Sequence, residues 1–360
     1  MRAALTLVAL VAGCAQPDPA PVLPRAMAAA SVSADAPVIA AGAMRRQALW
    51  NDPSVLRENG RYVLYMTSST DAPFEPPVLP FRAVSADGVR WSLSPEGPLL
   101  SPAGGPYVSI ETPSVVRFAG RHWMAFTGIY PKGGASPMAI GLAVSDDGVA
   151  WRVARWTLLT ASGRAEAWDG YLVGEPGAVV LGGRMRIYFS AVGARDGGGP
   201  PVQSIGMVES GDGVHFSAPR QVLVQGPLYP AAKGYAGYAS PAALAREDGG
   251  VDLFYSVAHV RRHADPEWQQ VAIHHARSAD GIRFIEDAAP LLTRDSTRWT
   301  DGEILAPAPL IDSGALKLWF GGHVARDRLA PLILQGVSGP EFGIGLATFP
   351  LPPSPQGAKP

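Results

Sequence analysis

The chain has 360 residues, of which 30 are basic and 31 acidic, and its formal net charge is −1. This balance lacks the basic surface that nucleic-acid binding requires, so no nucleic-acid partner is predicted. The 41 glycines and 35 prolines favour many turns over long helices. A single cysteine excludes an internal disulfide and a zinc site built from cysteines.

The N-terminal residues have the pattern of a bacterial lipoprotein signal. Arg2 precedes an apolar run over residues 3–12, which is too short to span a bilayer, and Cys14 follows small residues. The resemblance implies that residues 1–13 are a signal peptide and that Cys14 is lipidated. The protein is then expected in the bacterial cell envelope, periplasmic or surface-exposed, and in contact with the membrane only through its lipid. An ordinary secretory signal is the alternative.

The body of the chain repeats a proline-led unit five times. In each unit a β-rich run follows the proline, a pair such as Asn-Gly or Gly-Gly comes next, and a second β-rich run follows. This combination is typical of a β-hairpin. The residue before each repeat proline is called here a pre-proline residue. The five pre-proline residues are Asp52, Thr112, Glu175, Ser240 and Ala306.

Four of the units contain a second hairpin built on a Ser-x-Asp-Gly sequence, first at residues 85–88. Two hairpins make a four-stranded antiparallel sheet, and five such sheets make a propeller. The fifth unit has only one later run, near residues 342–349. We expect residues 37–40 to supply its outer strand, and a three-stranded fifth blade is the alternative.

The sequence therefore predicts an all-β fold, a five-bladed β-propeller of four-stranded antiparallel blades. The propeller is expected over residues 37–350. Residues 14–36, rich in Ala and Pro, are predicted to be a flexible tether, and residues 351–360 a C-terminal tail.

Antiparallel order separates the two faces of such a propeller. The tight Gly turns share one face, and the pre-proline residues and the long loops share the other, where sites are usually built. Three acidic residues, Asp52, Glu111 and Glu175, are expected to converge there. Clustered carboxylates shift one another's pKa values, so one can stay ionised while another stays protonated. Cleavage of a glycosidic bond needs such a pair, whereas the simpler alternative is that each acid caps a strand.

The same face is predicted to bind a carbohydrate, because aromatic side chains there could stack on sugar rings and polar side chains could bond hydroxyl groups. The predicted substrate-binding residues are Trp50, Tyr130, Trp168, Asp169, Tyr238, His259, Glu303 and His323.

The repeats, with Trp50-Asn51-Asp52-Pro53 and Gly174-Glu175-Pro176, resemble the five-bladed propeller glycosidases of glycoside hydrolase families 32, 43, 62, 68 and 130. The resemblance covers about residues 37–349. It implies a monomeric enzyme that hydrolyses oligo- or polysaccharides with inversion, with Asp52 as general base and Glu175 as general acid. The acid-tuning Asp of family 43 would correspond to Glu111. This residue departs from the pattern, because it lies one position earlier relative to its proline, which would turn it to the other face of a regular strand.

Two other functions stay open at this point. One is a non-catalytic carbohydrate-binding propeller, favoured by the shifted position of Glu111 and by Ser240 and Ala306 at two pre-proline positions. The other is a sugar phosphorylase of the family 130 kind, whose phosphate pocket would need Arg195 and the basic residues 261–263. No cofactor is predicted. No ligand string for a metal is present, although a structural calcium ion in the central channel stays open.

Overall fold

The computed structural model describes residues 23–24, 27–45, 48–69, 77–131, 137–195, 198–261, 267–324 and 342–351. Cys14, the signal peptide and most of the predicted C-terminal tail lie outside these residues. Within the described part of the chain, no helix is long and apolar enough to cross a membrane.

The described residues form twenty-one strands and two short 3-10 helices. The strands are β1 Ser31–Val32, β2 Asn51–Glu58, β3 Arg61–Ser69, β4 Val78–Ser85, β5 Ser92–Leu93, β6 Ser109–Phe118, β7 Arg121–Ile129, β8 Met138–Ser145, β9 Arg152–Thr160, β10 Leu172–Leu181, β11 Arg184–Gly193, β12 Val202–Ser210, β13 Arg220–Leu223, β14 Tyr235–Ala245, β15 Val251–Arg261, β16 Glu267–Ser278, β17 Ile285–Glu286, β18 Leu292–Thr293, β19 Glu303–Asp312, β20 Ala315–His323 and β21 Gly343–Pro350. The 3-10 helices are Ala231–Lys233 and Arg294–Ser296.

These strands confirm the predicted five-bladed β-propeller. Blade one is β2–β5, blade two β6–β9, blade three β10–β13, blade four β14–β17 with β18 beside β16, and blade five β19–β21 with β1. Neighbouring strands within a blade pair antiparallel. A single parallel bridge between Gln203 and Gly237 joins blades three and four into one nine-stranded sheet. In every blade the strand that contains the repeat proline is the innermost.

The core lies between the blades. The second strand of a blade is buried on both faces, as in β3, because each face packs against a neighbouring blade. Aromatic groups of these strands donate hydrogen bonds to the next blade. The Tyr65 hydroxyl donates to Gly148 O (3.1 Å), and Trp319 Nε1 of blade five donates to Gly88 O of blade one (3.0 Å). The first and last blades are therefore in direct contact.

The Ser-x-Asp-Gly sequences form local turns on the face opposite the pre-proline residues. In the first one, Ser85 Oγ accepts the N–H of Gly88 (2.9 Å), and Asp87 Oδ1 accepts the N–H groups of Val89 (2.9 Å) and Arg90 (2.8 Å). The same bonds recur in three other blades. Side chains that satisfy nearby backbone donors explain why this sequence repeats.

The outer strand of blade five comes from the N-terminal side of the chain, but from a different place than predicted. Ser31–Val32 pairs with β21, whereas residues 37–40 contribute only a single bridge between Ile39 and Ile344. Two residues with one apolar side chain are too short to be recognised as a strand in an Ala- and Pro-rich stretch. Residues 31–32, which the sequence assigned to a flexible tether, are thus part of the propeller.

Order extends further upstream, to Leu23. Its side chain is 1% exposed and lies among apolar groups of blades four and five, including Phe254 and Ile273. Arg277 Nη1 donates to Leu23 O (3.2 Å) and Arg277 Nη2 to Pro24 O (3.1 Å). The chain just before the first strand is therefore held against the outer part of blade four.

Candidate active site

All five pre-proline residues adopt the left-handed backbone conformation, with φ of 52° at Asp52, 49° at Thr112 and Glu175, 48° at Ser240 and 50° at Ala306. Each lies at a shift in the pairing register between the first two strands of its blade. Non-glycine residues in this conformation are uncommon and are often found where a bulge re-aims a side chain at a site. The proline that follows has a fixed φ angle, so the backbone is constrained at two consecutive residues.

The innermost strands surround a cavity of about 710 Å³ along the propeller axis. Its wall contains the five pre-proline residues at one end, then the repeat prolines, then apolar side chains such as Val55 and Val115. We call the end with the pre-proline residues the carboxylate mouth. An apolar wall disfavours charge, so carboxylates at this mouth ionise less readily than carboxylates in water.

The structure brings Asp52, Glu111 and Glu175 together at the carboxylate mouth. Burial, followed by the negative charges of Glu111 and Glu175, raises the pKa of Asp52 to about 8, although a hydrogen bond with Thr67 opposes the shift. Burial and the Glu175 charge likewise raise the pKa of Glu111 to about 7. The three carboxyl groups therefore cannot all be ionised at the same time at neutral pH.

Glu111 joins this group even though it lies one position earlier than its counterparts. The register shift of blade two falls between Glu111 and Ser114, so Glu111, opposite Thr127, is the last paired residue before the bulge. Thr112 takes the pre-proline position instead, and its Oγ1 lies 2.5 Å from Thr127 Oγ1. The alternation rule that would turn Glu111 away holds only for a regular strand, and the bulge breaks it.

Glu175 is held at one of its two carboxyl oxygens. Its Oε2 accepts hydrogen bonds from Ser190 Oγ (2.6 Å) and from the N–H of Ser240 (3.0 Å). These two donors come from the second strand of its own blade and from the pre-proline residue of the next one. The orientation of the carboxyl group is therefore set by two blades at once.

Three aromatic side chains on the same face of the propeller as the carboxylate mouth are at least partly exposed. Tyr130 and Trp168 are half-buried, Tyr130 against Tyr107 (ring centroids 4.9 Å apart) and Trp168 stacked on Phe189 (6.0 Å). Tyr171, which precedes β10, is 43% exposed. Their rings offer apolar faces of the kind on which sugars stack.

Other predicted substrate-binding residues are enclosed in the protein. Trp50 and Tyr238 are 0% exposed, so neither ring can stack on a sugar and both assignments are corrected. Trp50 Nε1 donates to Ala43 O (2.8 Å), and the Tyr238 hydroxyl accepts the N–H of Gly226 (3.1 Å). Trp50 directly precedes β2 and Tyr238 lies within β14, and both rings pack in the apolar core. Asp169 is also buried.

The polar candidates of blades four and five make contacts within the protein. His323 Nε2 lies 3.0 Å from Glu303 Oε2, and His323 Nδ1 lies 2.6 Å from Val324 O. The other oxygen of Glu303 accepts the N–H of Gln270 (2.9 Å). His259 Nε2 lies 3.0 Å from Lys233 O. The Gln270–Glu303 bond joins blades four and five, whereas the His323 contacts lie within blade five and the His259 contact lies within blade four.

The basic residues invoked for a phosphate pocket are only partly described. Arg195 Nη1 donates to Gln225 Oε1 (2.6 Å) and Arg195 Nε to Pro200 O (3.4 Å), and residues 262–263 lie outside the described chain. Among the described residues, no group of three or more His, Cys, Asp or Glu side chains is arranged to hold a metal ion.

Sequence reasoning missed the hydroxyl groups beside the carboxylates. Thr67, Thr127, Ser190 and Ser256 occupy the same position in the second strand of blades one to four, directly after its mostly apolar run. A comparison of the repeats could have indicated these residues, because Ser or Thr recurs at a position where a buried strand otherwise carries apolar residues.

Comparison with known proteins identifies the fold and no closer relationship. No family model matches the chain, and no curated protein matches it. Among solved structures, a thermostable family-43 glycoside hydrolase is 17% identical with a TM-score of 0.59, covering 82% of this chain and 89% of its own. The endo-arabinase of Bacteroides thetaiotaomicron is 14% identical with a TM-score of 0.56, covering 89% and 99%.

The α-L-arabinofuranosidase of Podospora anserina, solved with cellotriose, is 11% identical with a TM-score of 0.60 over 92% of this chain and 99% of that one. The likeness thus extends over nearly the whole length of each protein. The chain has the five-bladed propeller fold of these glycoside hydrolases.

Proposed function

We propose that the protein is a glycoside hydrolase. The observation that carries this proposal is the convergence of Asp52, Glu111 and Glu175 at one mouth of the axial cavity, where two of them have raised pKa values. Hydrolysis of a glycosidic bond requires one carboxylic acid that holds a proton and one carboxylate that can take one. Carboxyl groups that cannot all ionise together at neutral pH supply both forms.

In the proposed reaction, Glu175 gives its proton to the leaving glycosidic oxygen as the bond to the anomeric carbon breaks. Asp52 takes a proton from the water that attacks the same carbon from the other side, so the configuration inverts. Glu111 adds negative charge that keeps protons bound at the mouth. Because the pKa of Asp52 is about 8, its ionised form is a minor species at neutral pH, and activity is expected to rise as the pH approaches 8.

The substrate class proposed is glycans that contain α-L-arabinofuranosyl groups. Two of the similar structures are described as an endo-arabinase and an α-L-arabinofuranosidase. In this chain, Tyr130, Trp168 and the exposed Tyr171 lie on the face that bears the carboxylate mouth, where they could stack on furanose rings. Because an arabinofuranosyl group is uncharged, its binding does not require a charged pocket.

The test is incubation of the purified mature protein with arabinan, xylan, fructan and mannan oligosaccharides, with and without phosphate. Release of arabinose or arabino-oligosaccharides in water supports the proposal. Release of a sugar phosphate that depends on added phosphate would instead identify a phosphorylase. Absence of any bond cleavage on all four substrates contradicts both.

A carbohydrate-binding propeller without catalysis is the second candidate. It is favoured by Ser240 and Ala306 at two pre-proline positions and by the high pKa of Asp52, which leaves few ionised bases at neutral pH. Calorimetric binding of an oligosaccharide that the protein leaves intact, even at pH 8, would support this second function.

We also propose that Cys14 carries a lipid that anchors the protein to a bacterial membrane. The support is the short apolar run and the small residues before Cys14. The Cys14→Ser protein should be released in soluble form or remain an unprocessed precursor, as measured by membrane fractionation. Unchanged membrane association of that variant contradicts the anchor.

A further inference from the structure

Four hydroxyl groups link successive blades around the carboxylate mouth. Each belongs to the second strand of one blade and accepts the N–H of the pre-proline residue of the next blade. The bonds run from Thr112 N to Thr67 Oγ1 (2.9 Å), Glu175 N to Thr127 Oγ1 (2.8 Å), Ser240 N to Ser190 Oγ (2.8 Å) and Ala306 N to Ser256 Oγ (3.1 Å). These four side chains are called here the hydroxyl ring.

Ser190 makes a second bond that ties the ring to the proposed chemistry. Its oxygen accepts the N–H of Ser240 (2.8 Å), and its own proton is donated to Glu175 Oε2 (2.6 Å). The Ser240 N–H also lies 3.0 Å from the same carboxyl oxygen. The Ser190 hydroxyl has one proton, which it donates to Oε2. If Oε2 carried a proton pointing toward Ser190 and Ser240, neither the Ser190 O–H nor the Ser240 N–H could donate to it. Glu175 Oε2 is therefore an acceptor in this arrangement.

We propose that Ser190 is a positioning residue that restricts the transferable proton of Glu175 to the other carboxyl oxygen, Oε1. This inference rests on the proposed function, since it concerns the group that would protonate the leaving oxygen. With Oε2 held by two donors, the carboxyl group cannot rotate to exchange its oxygens without breaking both bonds. The proton is kept on the oxygen that is left for the substrate.

The chain contains a matched control in the next blade. Ser256 makes the same bond to the following blade, and Ser190 and Ser256 are similarly buried, at 2% and 0% exposure. The pre-proline residue of its own blade is Ser240, whose Oγ donates to Gln270 Oε1 (3.2 Å). Loss of the Ser256 hydroxyl therefore removes an equivalent inter-blade bond beside a pre-proline residue that has no carboxyl group.

The experiment compares the mature wild-type protein with Ser190→Ala, Ser190→Thr and Ser256→Ala. Rates are measured on methyl and dinitrophenyl α-L-arabinofuranosides, which have a poor and a good leaving group. We expect Ser190→Ala to lose about ten- to a hundredfold in kcat on the methyl glycoside with KM unchanged, as for loss of a hydrogen bond to an ionisable group. The dinitrophenyl substrate should be affected far less, because its leaving group needs little protonation. Ser190→Thr should restore the rate, and Ser256→Ala should match the wild type.

A second measurement does not depend on turnover. The pH titration of the Glu175 carboxyl carbon, followed by ¹³C NMR, should move its midpoint to higher pH in Ser190→Ala, because a donor to the charged form is lost. It should stay in place in Ser256→Ala. If Ser190→Ala does not fold, Ser190→Cys keeps a weaker donor of similar size and should show a smaller shift in the same direction.

The outcomes separate the two proposals. Equal effects of Ser190→Ala and Ser256→Ala on leaving-group dependence and on the Glu175 titration would overturn the positioning role and leave a structural one. A wild-type protein that cleaves no glycoside would overturn the proposed function, while the NMR comparison would still decide whether Ser190 controls the Glu175 carboxyl group.

Discussion

The two faces of the propeller use carboxyl groups in opposite ways. At the carboxylate mouth, burial and neighbouring negative charge raise the pKa of Asp52 to about 8 and that of Glu111 to about 7. On the opposite face, backbone N–H donors in the Ser-x-Asp-Gly turns lower the pKa of Asp147 and of Asp280 to about 2. The difference shows that position in the blade, rather than residue type, decides whether a carboxyl group keeps its proton.

The largest effect is expected from Asp52→Asn. The variant has no ionisable group to accept a proton from the attacking water, so turnover of every glycoside should fall by roughly 10²–10⁴-fold, whatever its leaving group. Steady-state kinetics on a substrate series tests this. A variant that keeps wild-type turnover would remove Asp52 from the mechanism and favour the binding function.

Glu175→Gln should produce a selective loss. Without a proton donor, glycosides with poor leaving groups should lose about 10²–10⁴-fold in kcat, whereas aryl glycosides with acidic phenols should retain most activity. The measurement is a plot of log kcat against leaving-group pKa for wild type and variant. Equal slopes in the two plots would show that Glu175 is not the acid.

Glu111→Gln should change the pH dependence more than the maximal rate. The negative charge of Glu111 raises the pKa of Asp52, so its removal should lower that pKa. Since the proposed base works only when ionised, the rising limb of the kcat/KM profile should move to lower pH. A limb that stays in place would mean that Glu111 does not act on the base.

Asp52→Asn should also be more heat-stable than the wild type at neutral pH. Asp52 ionises near 3.8 when unfolded and near 8 when folded, so between these values the folded state binds a proton that the unfolded state releases. This contribution lowers stability progressively as the pH rises from about 4 to 8. The gain in Tm of the variant, measured by calorimetry, should therefore grow over that interval, and a gain independent of pH would contradict the cause.

The smallest effect, of opposite sign, is expected on the turn face. Asp280→Ala removes an acceptor of two backbone N–H groups, so Tm should fall at neutral pH while kcat stays unchanged. The folded pKa of Asp280 is about 2, below that of the unfolded chain, so its stabilisation is present above about pH 4 and is lost as the pH falls to 2. Asp280→Asn, which keeps an acceptor oxygen, should retain most of the Tm.

Much of this difference between the two faces could be predicted from the sequence. The repeat prolines and the Asp-Gly pairs predicted the blades, and antiparallel order predicted which face each group would occupy. The three acidic residues were assigned to one mouth from that order alone. The sequence was sufficient here because hairpin turns and strand direction are local properties of the chain.

The remaining features depend on contacts between distant parts of the chain. The left-handed backbone at Asp52 and its equivalents was not predicted, and without it the alternation of a regular strand would turn Glu111 to the other face. Trp50 and Tyr238 were expected on the surface. An aromatic residue in the sequence does not by itself show whether it lies in a loop or near the end of a buried strand. Val32 carries too short an apolar pattern to predict pairing with the last strand.

The path of the N-terminal segment also determines on which side of the propeller a lipid anchor at Cys14 would be attached. Ser31 is opposite Thr348, near the turn face, whereas Ile39 is opposite Ile344, nearer the carboxylate mouth, so the chain climbs the outer edge of blade five. Residues before Ser31 therefore leave on the turn side, where Arg277 holds Leu23. Nine peptide steps separate Cys14 from Leu23, which allows a reach of at most about 30 Å. A proposed anchor at Cys14 would therefore be attached on the side of the Asp-Gly turns, and the carboxylate mouth would lie at the opposite end of the propeller.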